Sequence, residues 1–198
     1  MSTMKIYGSP MSRASRAMWC AKELGVPFEH VDVPWDKLKE SSFLEINPNG
    51  KVPGFVDGSL KLFESLAINL YIAKKYGTGK LYPTNIEDEG RVFQWTLFAA
   101  TELEPLLLPS VMVKFGFGKD VEGAKAAAAR AKTPLMVLDN YLKGRQWLVA
   151  EKFSVADLNV AAVVGMAHHG EVDISYAPNV KAWLDRCIAR QGGTAAAA

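Results

Sequence analysis

The sequence predicts two domains of different fold class, an α/β domain over residues 1–76 and an all-helical domain over residues 87–198, joined by a linker at residues 77–86. Two observations lead to this division. As far as residue 76, short apolar runs alternate with stretches in which apolar residues recur at helical spacing, which is typical of an α/β domain. Glycine and proline then interrupt the periodicity, and every later pattern is helical. The element order predicted for the first domain is βαβαββα.

The first half of the α/β domain is predicted to contain two strands and a helix. Residues 4–8 (MKIYG) form an apolar run that indicates the first strand. In the helix that follows, apolar residues recur every three or four positions, and Gly25 with Pro27 predicts its end. A second strand is expected at residues 28–33, followed by a short, loosely held helix within residues 35–46.

The second half of that domain is predicted to contain a hairpin and a closing helix. Residues 47–50 (NPNG) form a dense turn signal. Strands at residues 52–56 and 60–63 are separated by Asp-Gly-Ser, which is favourable chemistry for a hairpin. A last helix over residues 64–76 should stop at Gly77.

The helical domain has one well-specified helix start and one ambiguous one. Ser154 and Asp157 have the spacing of a capping box, and residues 155–166 are apolar on nearly all sides, so this should be the central buried helix. We assign that helix to folding and not to chemistry. Pro134 leaves two alternatives, because it must either sit in a first turn capped by Thr133 or kink a longer helix.

Composition narrows the classes of function. The chain has 23 Lys plus Arg against 21 Asp plus Glu, without the basic excess that nucleic-acid binding would suggest, so we expect a small ligand. No secretion signal is predicted, because the N-terminus has no long apolar core and no small-residue cleavage site. No membrane span is predicted either, because the most apolar stretch, residues 160–167, is too short to cross a bilayer. Two distant cysteines favour a reducing, cytoplasmic location. The final TAAAA is expected to be a frayed tail.

Four motifs occur in order along nearly the whole chain: YGSPMSRASR, NPNGKVPGF, LFESLAINLYIAKKY and FSVADL. Together they resemble the cytosolic glutathione transferase family, and the first three look most like its serine-dependent phi branch. The resemblance implies a thioredoxin-like first domain that binds glutathione and a helical domain that completes the electrophile site. It also implies a homodimer. Asn49 stands where relatives often have an aromatic residue that inserts into the partner subunit, so a weaker dimer is expected.

The reaction of this family needs a thiolate, so the protein must lower a thiol pKa that begins at about 8.5 to 9. A helix N-terminus and a hydroxyl donor can both do this, and Ser12 fits that position. By position alone, Ser12 could be an ordinary helix cap. The phi-like pattern implies that it contacts the thiol. Ser9, which precedes Pro10 as in the tau-like pattern, is the alternative, and Tyr7 is a third candidate.

The resemblance also implies how the rest of glutathione is held. The γ-glutamyl carboxylate would bind at the helix start with the Ser65 hydroxyl, and the ammonium would lie near Glu64. The extended middle of the peptide would pair with the backbone of Val52, with Pro53 in cis.

The glycyl carboxylate calls for cations, and Lys39 and Lys51 are the candidates, although either could be a solvated surface lysine. Arg13 and Arg16 should lie beside the site, where Arg16 could equally serve a structural role.

The second substrate is expected where the domains meet, against apolar side chains that suit varied electrophiles. The candidates are Met11, Met112, Phe115 and Phe117, although such residues are more often core. Cys20 should be packed inside the first helix and take no part in thiol exchange. His168 and His169 have no partners at metal-site spacing, so no metal is predicted.

The function predicted is conjugation of glutathione to small apolar electrophiles, the chemistry of detoxification. A glutathione-dependent peroxidase, isomerase or dehalogenase would use the same thiolate and differ only in the second pocket. A non-catalytic binding protein of the same fold is the remaining alternative.

Overall fold

The computed structural model describes residues 3–190, and their contacts divide them into two units. The first unit contains the described residues as far as Tyr82 and also Arg190, and the second contains Pro83–Ala189. Arg190 groups with the first unit because its Nε donates to Glu23 Oε1 at 2.8 Å. The predicted TAAAA tail lies outside the described residues.

The first unit is an α/β sandwich with the predicted element order. Its four-stranded sheet has the order β2-β1-β3-β4, in which β1 is parallel to β2 and antiparallel to β3, and β3 is antiparallel to β4. This is the predicted thioredoxin-like arrangement. The elements are β1 (Met4–Tyr7), α1 (Ala14–Leu24), β2 (Phe28–Val31), a 3-10 turn (Trp35–Lys37), α2 (Ser41–Leu44), β3 (Gly54–Asp57), β4 (Leu60–Phe63) and α3 (Ser65–Gly77).

Some boundaries in this unit differ from those predicted. β2 ends at Val31, two residues before the predicted end. β3 begins at Gly54 and not at Val52, because Pro53 has no N–H to donate to the strand ladder. Helix α1 ends as predicted at Gly25, which has a φ of 67° and is therefore in the left-handed conformation that glycine adopts easily.

The second unit consists of helices, as predicted. These are α4 (Ile86–Phe98), a π-helical turn (Ala99–Leu103), α5 (Glu104–Lys114), α6 (Val121–Arg130), α7 (Lys132–Leu142), α8 (Val155–Val164), α9 (Met166–His169) and α10 (Pro178–Ile188). Pro134 lies in the first turn of α7, where its missing N–H costs little. Ala131, the single residue between α6 and α7, has a φ of -62° and a ψ of -18°, so the chain also keeps a helical conformation from one helix into the next, as the kinked-helix alternative expects. The cap is Ala131 and not Thr133, which is already helical.

Helix α8 is the buried centre of this unit, with nine of its ten residues buried. The predicted capping box is confirmed, since the backbone N–H of Ser154 donates to Asp157 Oδ2 at 3.0 Å. The other carboxylate oxygen of Asp157 accepts from the Leu148 N–H at 2.8 Å and from Trp183 Nε1 at 2.9 Å. Burial raises the pKa of Asp157 to about 6, and these hydrogen bonds limit the rise.

One helical run, Ile86–Lys114, is long and apolar enough to cross a membrane by length and composition alone. Ile86–Lys114 contains 29 residues, and its most apolar window has a mean hydropathy of 1.3 and is 22% buried. A single helix of this kind is weak evidence for a span. Glu102 and Glu104 lie within the run, and carboxylates are costly in the middle of a bilayer.

Candidate active site

The loop between β1 and α1 presents the hydroxyl of Ser12. Its Oγ accepts a hydrogen bond from the Ala14 N–H at 3.2 Å and donates one to the Ser9 carbonyl oxygen at 2.6 Å. The residue is half-buried. Ser12 therefore acts as a cap for the first turn of α1, and its hydroxyl lies at the positive end of the dipole of that helix.

The two alternative residues, Ser9 in this loop and Tyr7 at the end of β1, make other contacts. Ser9 Oγ accepts from the Met11 N–H at 3.2 Å, which is a local turn contact. The ring of Tyr7 lies 6.4 Å from that of Phe43, measured between centroids, so Tyr7 contributes to aromatic packing. Neither the Ser9 side chain nor the Tyr7 ring makes these contacts with a residue in the first turn of α1.

The predicted turn after residue 46 is held by Asn47, a buried residue that the sequence analysis did not assign to the site. Its Nδ2 donates to the carbonyl oxygens of Lys51, at 2.5 Å, and Pro53, at 3.2 Å, and its Oδ1 accepts from the Asn49 N–H at 3.0 Å. The Val52-Pro53 peptide bond is cis, as expected. Asn47 shapes the backbone at Val52, and its place in the NPNG turn was the available signal.

Gly8 brings the Ser12 loop and the Val52 turn together. It is buried at the end of β1, with a φ of 125°. A Cβ added there would lie 2.8 Å from the Cβ of Val52 and 3.1 Å from that of Ala14. The turn and the start of α1 therefore both pack against this glycine, and no larger residue fits without displacing one of them.

The start of α3 has an unusual backbone conformation. Glu64 has a φ of 71°, in a region that costs a non-glycine residue about 1 to 3 kcal/mol, and its side chain is exposed. Ser65 is the first residue of α3 and is buried, and its Oγ accepts a hydrogen bond from Arg16 Nη1 at 3.2 Å. The strained residue thus leads directly into the helix N-terminus that is predicted to bind the γ-glutamyl carboxylate.

The two candidate lysines lie at the same turn. Lys39 is exposed, and its Nζ donates to the Asn49 carbonyl oxygen at 3.1 Å. A Cβ added to Gly50 would lie 2.6 Å from that Nζ, so the ammonium covers the glycine. Lys51 follows Gly50 and is also exposed. Two positive charges therefore flank the backbone that leads to Val52.

The candidate residues for the second substrate are not core residues. Met11, in the first unit, is 82% exposed. Met112, Phe115 and Phe117, at the end of α5 and just after it, are also exposed. The apolar side chains are therefore available to a ligand within their own units.

Comparison with known proteins identifies the family. The model described as "Glutathione S-transferase, N-terminal domain" matches residues 2–74, and "Glutathione S-transferase, C-terminal domain" matches residues 98–191. The chain belongs to the glutathione S-transferase family. It is 32% identical to glutathione S-transferase F10 of Arabidopsis thaliana, over 94% of this chain and 93% of that protein. That relative and others from plants are F-type enzymes, which agrees with the phi-like resemblance.

Solved structures of the family have the same fold. Glutathione transferase F7 from Populus trichocarpa superposes with a TM-score of 0.86 at 28% identity, over 98% of both chains. A glutathione S-transferase I bound with lactoylglutathione superposes with a TM-score of 0.87 at 28% identity, over 99% of both chains.

The Cys20 thiol does not add a second reactive centre to this member of the transferase family. Cys20 is fully buried, and burial raises the pKa of its thiol, which leaves it in the unreactive protonated form. Burial, and then the neighbouring His168, lower the pKa of His169. Residues 3–190 contain no group of three or more His, Cys, Asp or Glu side chains arranged to hold a metal ion.

A separate cleft of about 450 Å³ lies in the helical unit. Its walls include Lys125, Lys132, Glu171 and Asp173, whose formal charges sum to zero. None of the residues predicted to bind glutathione or the electrophile lines it.

Proposed function

We propose that this chain conjugates glutathione to small apolar electrophiles and that Ser12 stabilises the glutathione thiolate. The observation that carries the proposal is the meeting of the Ser12 loop and the Val52 turn at Gly8. The proposed glutathione-binding domain is residues 1–76, and residues 87–198 complete the electrophile site beyond a linker at 77–86.

Each part of glutathione has a complementary group in this arrangement. The backbone of Val52 pairs with the extended middle of the peptide, next to cis Pro53. The N-terminus of α3 and the Ser65 hydroxyl receive the γ-glutamyl carboxylate, and Glu64 balances the ammonium. The lysines at positions 39 and 51 attract the glycyl carboxylate from an exposed surface, where each contributes about 1 kcal/mol or less.

The reaction follows from the position of the sulfur at the start of α1. The positive end of the α1 dipole and the Ser12 hydroxyl stabilise the thiolate, so the thiol gives its proton to solvent at neutral pH. The sulfur then uses an electron pair to form a C–S bond, and the leaving group departs with the pair of the broken bond. Met11, Met112, Phe115 and Phe117 are proposed to contact the apolar body of the electrophile.

The test begins with retention of the wild-type chain on immobilised glutathione. Elution by free glutathione, followed by turnover of an aryl halide, is expected. A chain that is not retained and binds no glutathione in a calorimeter would support the scaffold alternative. A chain that binds glutathione but turns over only a peroxide, an isomerisation substrate or a haloalkane would replace conjugation with that activity.

We also propose that the chain acts as a cytoplasmic homodimer. Ile86, Gly90, Phe93 and Leu97 recur at intervals of four, three and four along α4, so they share one face, and the three apolar side chains are exposed. Such a stripe is typical of a protein interface. Leu97→Glu should shift the sedimentation coefficient toward the monomer, whereas the exposed-surface control Lys125→Glu should not. A monomeric wild-type chain would refute the dimer.

A further inference from the structure

Arg16 makes a buried contact that the proposed site does not yet use. It is the third residue of α1 and lies four positions after Ser12. Its guanidinium is buried, and Nη1 donates to Ser65 Oγ at 3.2 Å. Helix α1 therefore carries the proposed thiolate cap near its start and, one turn later, contacts the residue proposed to hold the other end of the γ-glutamyl group.

The direction of this hydrogen bond determines what Ser65 can do for a ligand. Arginine has only donors, so Ser65 Oγ must be the acceptor in the pair. The single hydroxyl hydrogen of Ser65 takes no part in this pair. A carboxylate at the N-terminus of α3 is an acceptor of the right charge, and the guanidinium nearby adds a positive charge in a buried setting where such attraction is strong.

The packing of α1 on α3 fixes the position of Arg16. One turn after the Arg16–Ser65 contact, Cys20 Sγ donates to the Asn69 carbonyl oxygen at 3.6 Å. Both pairs are separated by 49 residues in sequence, so the two helices contact each other in one register. Arg16 is therefore held by the same packing that holds the core and is not a mobile surface side chain.

We propose that Arg16 is a positioning residue for glutathione, which orients the Ser65 hydroxyl toward the γ-glutamyl carboxylate. The inference rests on the proposed function. It predicts that Arg16 governs recognition of that carboxylate and leaves the thiolate chemistry at Ser12 unchanged.

The test compares two probes by isothermal titration calorimetry: glutathione, and glutathione whose γ-glutamyl carboxylate has been converted to an amide. The wild-type chain should bind glutathione at least about tenfold more tightly than the amide, because a charge-assisted hydrogen bond is lost. Arg16→Gln and Ser65→Ala should each remove most of this preference, and the double variant should lose no more than either single one. Lys22→Gln, an exposed charge removal in the same helix, should keep the preference.

Kinetics separate positioning from a general loss of structure. For Arg16→Gln, KM for glutathione should rise about tenfold, while kcat at saturating glutathione and its pH profile should change by less than about twofold. If this variant does not fold, Arg16→Lys, which keeps a charge and a donor, replaces it in the test of the positioning role. It should retain part of the preference in the wild-type background and have no effect on the preference in the Ser65→Ala background.

Three outcomes would overturn the inference. Arg16→Gln could lower thermal stability but keep the preference for glutathione over the amide. The effects of Arg16→Gln and Ser65→Ala could multiply in the double variant. A wild-type chain that binds neither probe would overturn the proposed function and the positioning role with it, whereas either of the first two results leaves the proposed function intact.

Discussion

Replacing Ser12 with alanine tests the centre of the proposal. In the structure, the Ser12 hydroxyl donates to the Ser9 carbonyl oxygen at 2.6 Å, so a bound thiolate must take this donor from a neutral partner. A hydrogen bond to a charged group contributes about 1.5 to 3 kcal/mol and a neutral one about 0.5 to 1.5. The difference is about 1 to 2 kcal/mol, so removing the hydroxyl should raise the pKa of the bound thiol by about one unit.

The assay is turnover of an aryl halide as a function of pH, together with a thiolate absorbance titration of the glutathione complex. Ser12→Ala should lower kcat at pH 6.5 by up to about tenfold while glutathione still binds, and the deficit should shrink at higher pH as the thiol ionises without help. Ser12→Thr, which keeps a hydroxyl, should recover most of the activity. Because Ser12 Oγ also accepts from the Ala14 N–H, the alanine variant should lose about 1 kcal/mol of stability.

Ser9→Ala is the matched control. The Ser9 side chain accepts a local hydrogen bond from the Met11 N–H, and the carbonyl that contacts Ser12 is backbone and survives the substitution. The reasoning is refuted if Ser9→Ala raises the thiol pKa and Ser12→Ala does not. It is also refuted if the Ser12→Ala deficit is the same at every pH, because a hydroxyl that acts on the thiolate must act through its ionisation.

Three further predictions concern folding and binding. Because burial raises the pKa of Asp157 from 3.8 to about 6, the native state binds a proton that the unfolded state has released in this range, so the contribution of the carboxyl to stability falls as pH rises through it. Urea titrations should therefore show that wild type exceeds Asp157→Asn in free energy of unfolding by about 1 kcal/mol more at pH 5 than at pH 7. If this difference between the two proteins increases with pH, the raised pKa of Asp157 is contradicted. Lys39→Gln and Lys51→Gln should each raise KM for glutathione by about two- to fivefold, since both cations are exposed, and an unchanged KM in both would remove them from the site. Gly8→Ala, whose added Cβ would lie 2.8 Å from the Cβ of Val52, should raise the Kd of glutathione at least about tenfold by calorimetry.

The fold could be predicted because its local signals agree with one another. Apolar spacing, the left-handed stop at Gly25 and the capping box at Ser154 each indicate the same element that tertiary packing stabilises. The boundaries that differed depend on backbone hydrogen bonding that spacing does not report. β3 begins after Pro53 because proline lacks the donor, and α7 begins at Lys132 without a side-chain cap, so the preference for threonine as a cap does not report where this helix starts.

The site was less predictable, because its supporting residues act through contacts distant in sequence. Ser12 and Ser65 belong to short motifs and could be named from the chain alone. Their supports could not be assigned in the same way: Asn47 fixes the turn through its buried amide, and Arg16 reaches Ser65 across 49 positions. A buried arginine and an exposed one look alike in a sequence, and only the packing of α1 on α3 distinguishes them.

Gly8 shows why the arrangement of the backbone matters as much as the reactive hydroxyl. An alanine at this position would have to adopt a φ of 125°, and its methyl group would meet the side chain of Val52. The Val52 turn or the Ser12 loop must therefore move, although the substitution removes no side chain that is proposed to contact glutathione. Gly25→Ala is the control, because Gly25 also has a positive φ but nothing within 4 Å of its added Cβ. Both variants should lose stability, and only Gly8→Ala should lose affinity for glutathione. Equal loss of affinity in the two would mean that general destabilisation, and not the contact between the turn and the loop, determines binding.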